Sequence, residues 1–381
     1  MTPLSPATWR GVILCLAVAV GAGFLFRMSL LTGFSLHLGH VRHAHSHLMS
    51  FGWVIPAVWL LILPQINGKP LLGWAKLSVA LGALSFPLFW RWGYGKGLGL
   101  PMPPAVIVST LNMAAWYGFG AAYVWVTRSQ QRTLPIRCFD LALVFLFLAC
   151  LGAWGITLIH RFPTWHLSPK LLSTWFLFIF KEGFCLFAVA GFLLHELGPS
   201  TRGKGARLAL ASMALGTPLC FLINLPEWAW LGCLGGVLSG LGLLTLILPA
   251  LRSRRFRSLV WMPPLLCLAL KAILLLLVCL TGKTHLTEVL AYKRFYLHLL
   301  MLGGVSGCLL AHGYTQGYVR RDGLVFWHLA AIGNMAALLL LSPLLNAGGW
   351  AVLYGPPLSS FLPLVAAFYL LRPRQRQPIS N

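Results

Sequence analysis

HVRHAHSHLMSFGWVIPAVWLLILP, residues 40–64, puts four histidines into eight positions and then runs on apolar. From His45 to Pro64 there are twenty residues without an Asp, Glu, Lys or Arg. That is the length a helix needs to cross about 30 Å of hydrocarbon. Working outward, eleven more runs of this kind fill the chain. The full set is 10–27, 45–64, 71–90, 104–127, 138–160, 171–195, 206–224, 228–250, 259–281, 293–312, 324–343 and 349–371. The expected fold is therefore all-α, a polytopic membrane protein with about twelve transmembrane helices. The links are short and rich in Gly, Pro, Lys and Arg, so residues 1–381 read as a single transmembrane domain. Only 9% of the 381 residues are charged and 58% are hydrophobic. Soluble domains carry about 25% charged residues, which excludes a soluble enzyme, and the apolar runs exclude disorder.

The charge balance is 29 Lys+Arg against 6 Asp+Glu, a net +23. In a soluble protein this would point to nucleic acid. Here the basic residues sit in loops between apolar runs, so topology and contact with the lipid bilayer are the expectation, and no nucleic acid partner. The side holding both termini and the even-numbered links carries 18 of them, the other side nine. The positive-inside rule then places both termini in the cytoplasm of a multi-pass protein of the inner (plasma) membrane. The first apolar run has a basic flank but no small-residue cleavage site, and reads as a retained helix. The nine cysteines are scattered through apolar runs with no Cys-x-x-Cys, as small apolar residues would be, and no Cys-x-x-Cys-His offers a covalent haem attachment.

On this topology nine of the twelve histidines, His37, His40, His43, His45, His47, His160, His166, His285 and His298, lie near the outer face. His195, His312 and His328 lie near the inner one. Ionisable side chains inside a membrane are costly and mark function. In the 40–47 cluster His43 and His47 share one helical face and His45 points elsewhere, so His45 and His47 cannot serve one cofactor together. His298 enters the tenth span at a similar depth. A histidine on each of two helices in one leaflet suits a six-coordinate haem held between them. A site built from His37, His40, His43 and His47 is the rival, for zinc or for copper, with Met49 as a further copper ligand.

Residues 45–53, HSHLMSFGW, resemble the His-Ala-His-Glu-Met-Leu-Phe-Gly segment of the NnrS family, twelve-helix haem- and copper-containing membrane proteins linked to nitric oxide. Asn67-Gly68-Lys69-Pro70 resembles the loop that follows in that family, and Arg294-Phe-Tyr-Leu-His298 through Gly303 resembles its Arg-Ala-Leu-His-Ala-Leu-Thr-Val-Gly. The wider haem–copper oxidase subunit I superfamily, nitric oxide reductase included, is similar at Arg42-His-Ala-His45-Ser46, Lys181-Glu182-Gly183, Gly216-Thr217 and Pro226-Glu227-Trp228. The resemblance implies an oxidase-subunit-like fold with low-spin haem ligands on the second and tenth helices. It also departs where the dinuclear centre would be. Phe178 stands for the metal histidine of the sixth helix, Leu219-Cys220 for the pair of the seventh, and Tyr296 for one histidine of the tenth. Enzymatic oxygen or nitric oxide reduction is therefore not implied.

The combined expectation is b-type haem ligated by His45 (or His47) and His298. Arg42 and Arg294, with Lys293, would neutralise the propionates. Nitric oxide response or electron transfer to an unidentified partner is the expected role. The metal-ligating candidates are His45, His298, His47 and His43, and copper is the second metal that the pattern admits. An outer-face copper-handling protein and a membrane transporter are the alternatives. Two further features have structural readings. Glu182 in the sixth span and Lys271 in the ninth can meet as an interhelical ion pair, read as structural, with a proton path as the functional alternative. Gly232-x-x-x-Gly236-x-x-x-Gly240 is expected to let a neighbouring helix approach closely. The 16 tryptophans, such as Trp9, Trp92, Trp165, Trp228 and Trp350, are expected in the interfacial belts.

Overall fold

The computed structural model describes residues 6–162, 168–198, 203–341 and 350–372. His166 and Trp165 lie outside the described residues. The architecture is all-α, with no strand among them. Eleven helices are long and apolar enough to span a membrane: α1 Pro6–Thr32, α2 Leu38–Ile66, α3 Lys69–Trp92, α4 Pro104–Thr127, α5 Leu134–Ile159, α6 Pro169–Leu197, α7 Lys204–Asn224, α8 Pro226–Arg252, α9 Met262–Leu280, α10 Leu290–Thr315 and α11 Arg321–Leu340. The run expected as a twelfth span is instead two ten-residue helices, α12 Trp350–Ser359 and α13 Phe361–Leu370. The cause is local. Pro356 and Pro357 remove two backbone donors inside α12, and the Ser360 hydroxyl donates to the Pro357 carbonyl at 2.6 Å across the break.

Helix ends follow their residues. α2 stops at Asn67, which takes the left-handed conformation at φ 52°, and α3 stops at Gly93, φ 55°. α6 begins with Pro169 in its first turn, capped by Ser168, whose hydroxyl accepts from the Leu171 amide. α2 begins at Leu38, seven residues earlier than the apolar run, so the histidine cluster lies on the helix.

The chain forms two compact units, Met1–Gln130 with Leu309–Asn381, and Gln131–Cys308. The second boundary falls inside α10. In the first unit α2 packs between α1 and α3, while α11 and α13 pack together. In the second, α7 and α9 lie against α8, and α5 against α6. The glycine face of α8 performs the expected packing but divides it. Gly232 meets the backbone of α7 at Leu222 and Ile223, whereas Gly236 and Gly240 meet α9 at Cys279 and Leu276. Trp9, expected at an interface, is buried at 2% exposure between Trp53 and Tyr318.

Three helices stand apart from the rest. In α2, α6 and α10, 78%, 83% and 78% of the apolar window is buried within the protein; no other span exceeds 56%. The same three, and among the described residues only these, contain a π-helical stretch: Leu48–Val54, Ile179–Cys185 and Leu299–Ser306. Each starts nine or ten residues into its helix. The helices recur at an interval of four, so the order of elements carries a threefold repeat. The residues immediately before the three π stretches are His47, Phe178 and His298.

Candidate functional site

The N-terminal half of α2 presents its histidines to two different neighbours. His45 turns toward α1. Its Nδ1 donates to the Ala19 carbonyl at 2.7 Å, and the ring lies over Gly23, where a Cβ would approach Cε1 to 2.9 Å. The absence of a side chain at Gly23 is what admits the imidazole. A carbonyl only accepts, so this bond fixes the proton on Nδ1 and the lone pair on Nε2. Near the same ring, the Arg27 guanidinium donates to Asn334 Oδ1 at 2.6 Å and to the Pro356 carbonyl at 3.2 Å.

His47 turns toward α3. Its ring stacks on Phe89 with centroids 3.9 Å apart, meets Phe51 in a T-shaped contact, and holds Nε2 3.1 Å from the Tyr94 hydroxyl. His43 meets the same tyrosine in a T-shaped contact with centroids 4.7 Å apart, and His40 stacks on His37 at 5.1 Å. The expectation that His45 and His47 face apart therefore holds. The Nδ1 atoms of His40 and His47 are buried without a hydrogen-bond partner, although no three His, Cys, Asp or Glu side chains among the described residues converge as a metal-binding group. Arg42 projects into solvent on the same turn of α2.

In the other unit His298 ends the first α-helical segment of α10. Its Nδ1 donates to the Arg294 carbonyl at 2.7 Å, one turn back. This is the same lock as at His45, and it likewise places the lone pair on Nε2. Arg294 and Lys293 are exposed. Of the remaining outer-set histidines, His37 and His285 are exposed, and of the His160 side chain nothing is described. The inner set includes His312, fully buried, with Nε2 3.3 Å from the Gln65 amide and Thr315 beside it.

The expected ion pair is present. Lys271 Nζ on α9 donates to Glu182 Oε2 on α6 at 2.5 Å, with the two residues 0% and 4% exposed. Tyr296 on α10 donates to the other carboxylate oxygen at 3.3 Å, and the Lys271 ammonium sits 5.8 Å from its ring centroid. The π stretch of α6 carries Glu182 into this meeting point. Sequence reasoning missed Ala19, Gly23, Phe89 and Tyr94 as partners of the histidines, and nothing in their spacing marked them. Tyr296 was legible only as a neighbour of His298.

The chain matches no protein-family model and no curated protein sequence. The functional reading therefore stands on the residues and their geometry.

Proposed function

We propose that this multi-pass membrane protein binds b-type haem through His45 and His298, and that it works in electron transfer or in a response to nitric oxide. The observation that carries the reading is the shared tautomer lock. Ligating imidazoles almost always donate their second nitrogen to a carbonyl or carboxylate, which orients the ring and raises its basicity. His45 and His298 both do so, at 2.7 Å each. The residues fit the group in a second respect. His298 immediately precedes one π-helical stretch and His45 lies three residues before another, a deviation often found at functional sites.

His45 is favoured over His47, whose Nε2 is engaged by Tyr94 and whose ring is stacked on Phe89. Exposed Arg42, Lys293 and Arg294 supply charge for the propionates, the arginines bidentately. When bound, the iron supplies one-electron chemistry, or nitric oxide binding where one imidazole releases. The protein's own part is to orient both rings and to set their proton positions. Phe178, Leu219 and Cys220 offer no imidazole for a second metal beside it, so no reductase activity is proposed.

The test is the dithionite-reduced spectrum of the detergent-purified protein with His45→Ala and His298→Ala made singly. Loss or displacement of the Soret band in each is expected. A band unchanged in both would sink the proposal. A second reading, copper bound within the His37, His40, His43 and His47 cluster, is favoured by the unpartnered Nδ1 atoms of His40 and His47. It requires stoichiometric copper with no pyridine haemochrome.

A further inference from the structure

Gln131, Arg132, Thr133, Leu134, Arg137 and Arg207 line a cavity of about 250 Å³. The first five belong to the start of α5 and the link before it, and Arg207 to the first turn of α7. All six lie in one compact unit, Gln131–Cys308. Local bonds fix the wall. Arg132 donates to Asp140 Oδ1 at 3.1 Å, and Arg137 Nε donates to the Arg132 carbonyl at 3.1 Å.

Arg132 is thereby matched by a carboxylate. Arg137 and Arg207 meet none among the described residues. Three guanidinium groups against one carboxylate leave two positive charges at one cavity, and a cleft of one sign concentrates ions of the other. Thr133, at the N-cap of α5, makes no side-chain cap bond, and the positive end of that helix dipole adds to the same sign.

We propose that this cavity holds the headgroup of an anionic phospholipid with two phosphodiesters, the chemistry of cardiolipin. Arginine forks match phosphate oxygens bidentately, and two phosphodiester charges balance the surplus. What favours a lipid over a free anion lies further along the helices. On α5, Val144 and Leu151 follow Arg137 at successive intervals of seven residues and are exposed; on α7, Leu208 beside Arg207 and Leu215 beyond it are exposed. Seven residues are about two helical turns, so each set forms one column. A cationic cavity at the head of apolar columns fits both ends of a lipid, whereas free phosphate would use only the first. Both helices start on the side that carries the excess of Lys and Arg, where basic pockets between transmembrane helices take such headgroups. The site is separate from the histidines of α2 and from His298, and does not rest on haem binding.

The experiment is native mass spectrometry of the full-length protein, stripped of lipid in detergent, with cardiolipin, phosphatidylcholine or inorganic phosphate added. One cardiolipin retained per chain is expected, in preference to phosphatidylcholine. Arg137→Gln and Arg207→Gln should each weaken its binding about fivefold. Lys283→Gln, at an exposed lysine after α9, should leave it unchanged. Both arginines are exposed, so these variants should keep the fold, which thermal unfolding without lipid checks. Failure to retain cardiolipin, equal retention of phosphatidylcholine, displacement of cardiolipin by equimolar inorganic phosphate, or an equal loss in Lys283→Gln overturns the proposal. The wild-type competition decides even where an arginine variant fails to fold.

Discussion

Gly23 and His45 show how a single missing side chain positions another. The imidazole occupies the space of an absent Cβ and in doing so reaches the Ala19 carbonyl. Gly23→Val should therefore displace the ring and break the 2.7 Å bond. The expected outcome is reduced haem content in the purified protein. Gly11→Val should leave the content unchanged, because nothing lies within 4 Å of a Cβ at that position on the same helix. Equal haem content in both variants would detach Gly23 from the site. The buried pair gives a second residue-scale prediction. Lys271→Met removes the ammonium bonded to Glu182 and leaves it with the Tyr296 hydroxyl and the electrostatic reach of Lys181, and removing one partner of a buried pair costs about 3–5 kcal/mol. The double variant Lys271→Met, Glu182→Gln should recover most of this, read as thermal unfolding in detergent. Equal losses in single and double variants would make the pair dispensable. Both partners were legible in the sequence, because a charge inside an apolar span has few alternatives to a partner on another helix. Gly23 was not legible, since one glycine in an apolar helix carries no sign of what it faces.

At the scale of elements, the π stretches were invisible to sequence reasoning. A π turn holds one residue more than an α turn, and the apolar run of α2 gives no composition cue for that extra residue. The histidine faces assigned at 100° per residue nevertheless survived, because His40 through His47 all lie in the regular α segment that precedes the stretch. Deleting Ser50 should convert Leu48–Val54 to regular α-helix. Everything N-terminal to it would then rotate by about 100° relative to the inner half of the helix. His45 would leave Ala19 and the haem signature would be lost, while the chain still inserts. The measurement pairs the reduced spectrum with membrane-fraction recovery. A spectrum retained in a well-inserted deletion variant would mean that the stretch does not set the ligand. The same reasoning explains the twelfth run. Hydropathy counted 349–371 as one span, but apolarity does not register that Pro356 and Pro357 interrupt the backbone ladder.

For the whole molecule, eleven of the twelve expected spans followed from hydropathy and the burial pattern did not. α2 and α10, at mean hydropathy 1.7 and 1.5, are less apolar than α5 and α9, at 2.4 and 2.5, yet they are far more buried. Lipid tails are as apolar as a protein core, so hydropathy cannot separate a helix facing lipid from one enclosed by other helices. The fourfold interval of α2, α6 and α10 emerges only from contacts, because no sequence identity marks the repeat. What the sequence does carry at this scale is sidedness. The excess of Lys and Arg on the side of the termini and even-numbered links predicts that this side is cytoplasmic. Lys96, in the link after α3, and Gln131, in the link after α4, are both exposed and fall on opposite sides in this reading. With Lys96→Cys and Gln131→Cys made separately, a membrane-impermeant maleimide applied to intact cells should label the first and spare the second. Native thiols add little background, since eight of the nine are buried. The reverse pattern would invert the topology. It would carry His45 and His298 to the cytoplasmic leaflet, and any electron-transfer partner would then have to approach from inside the cell.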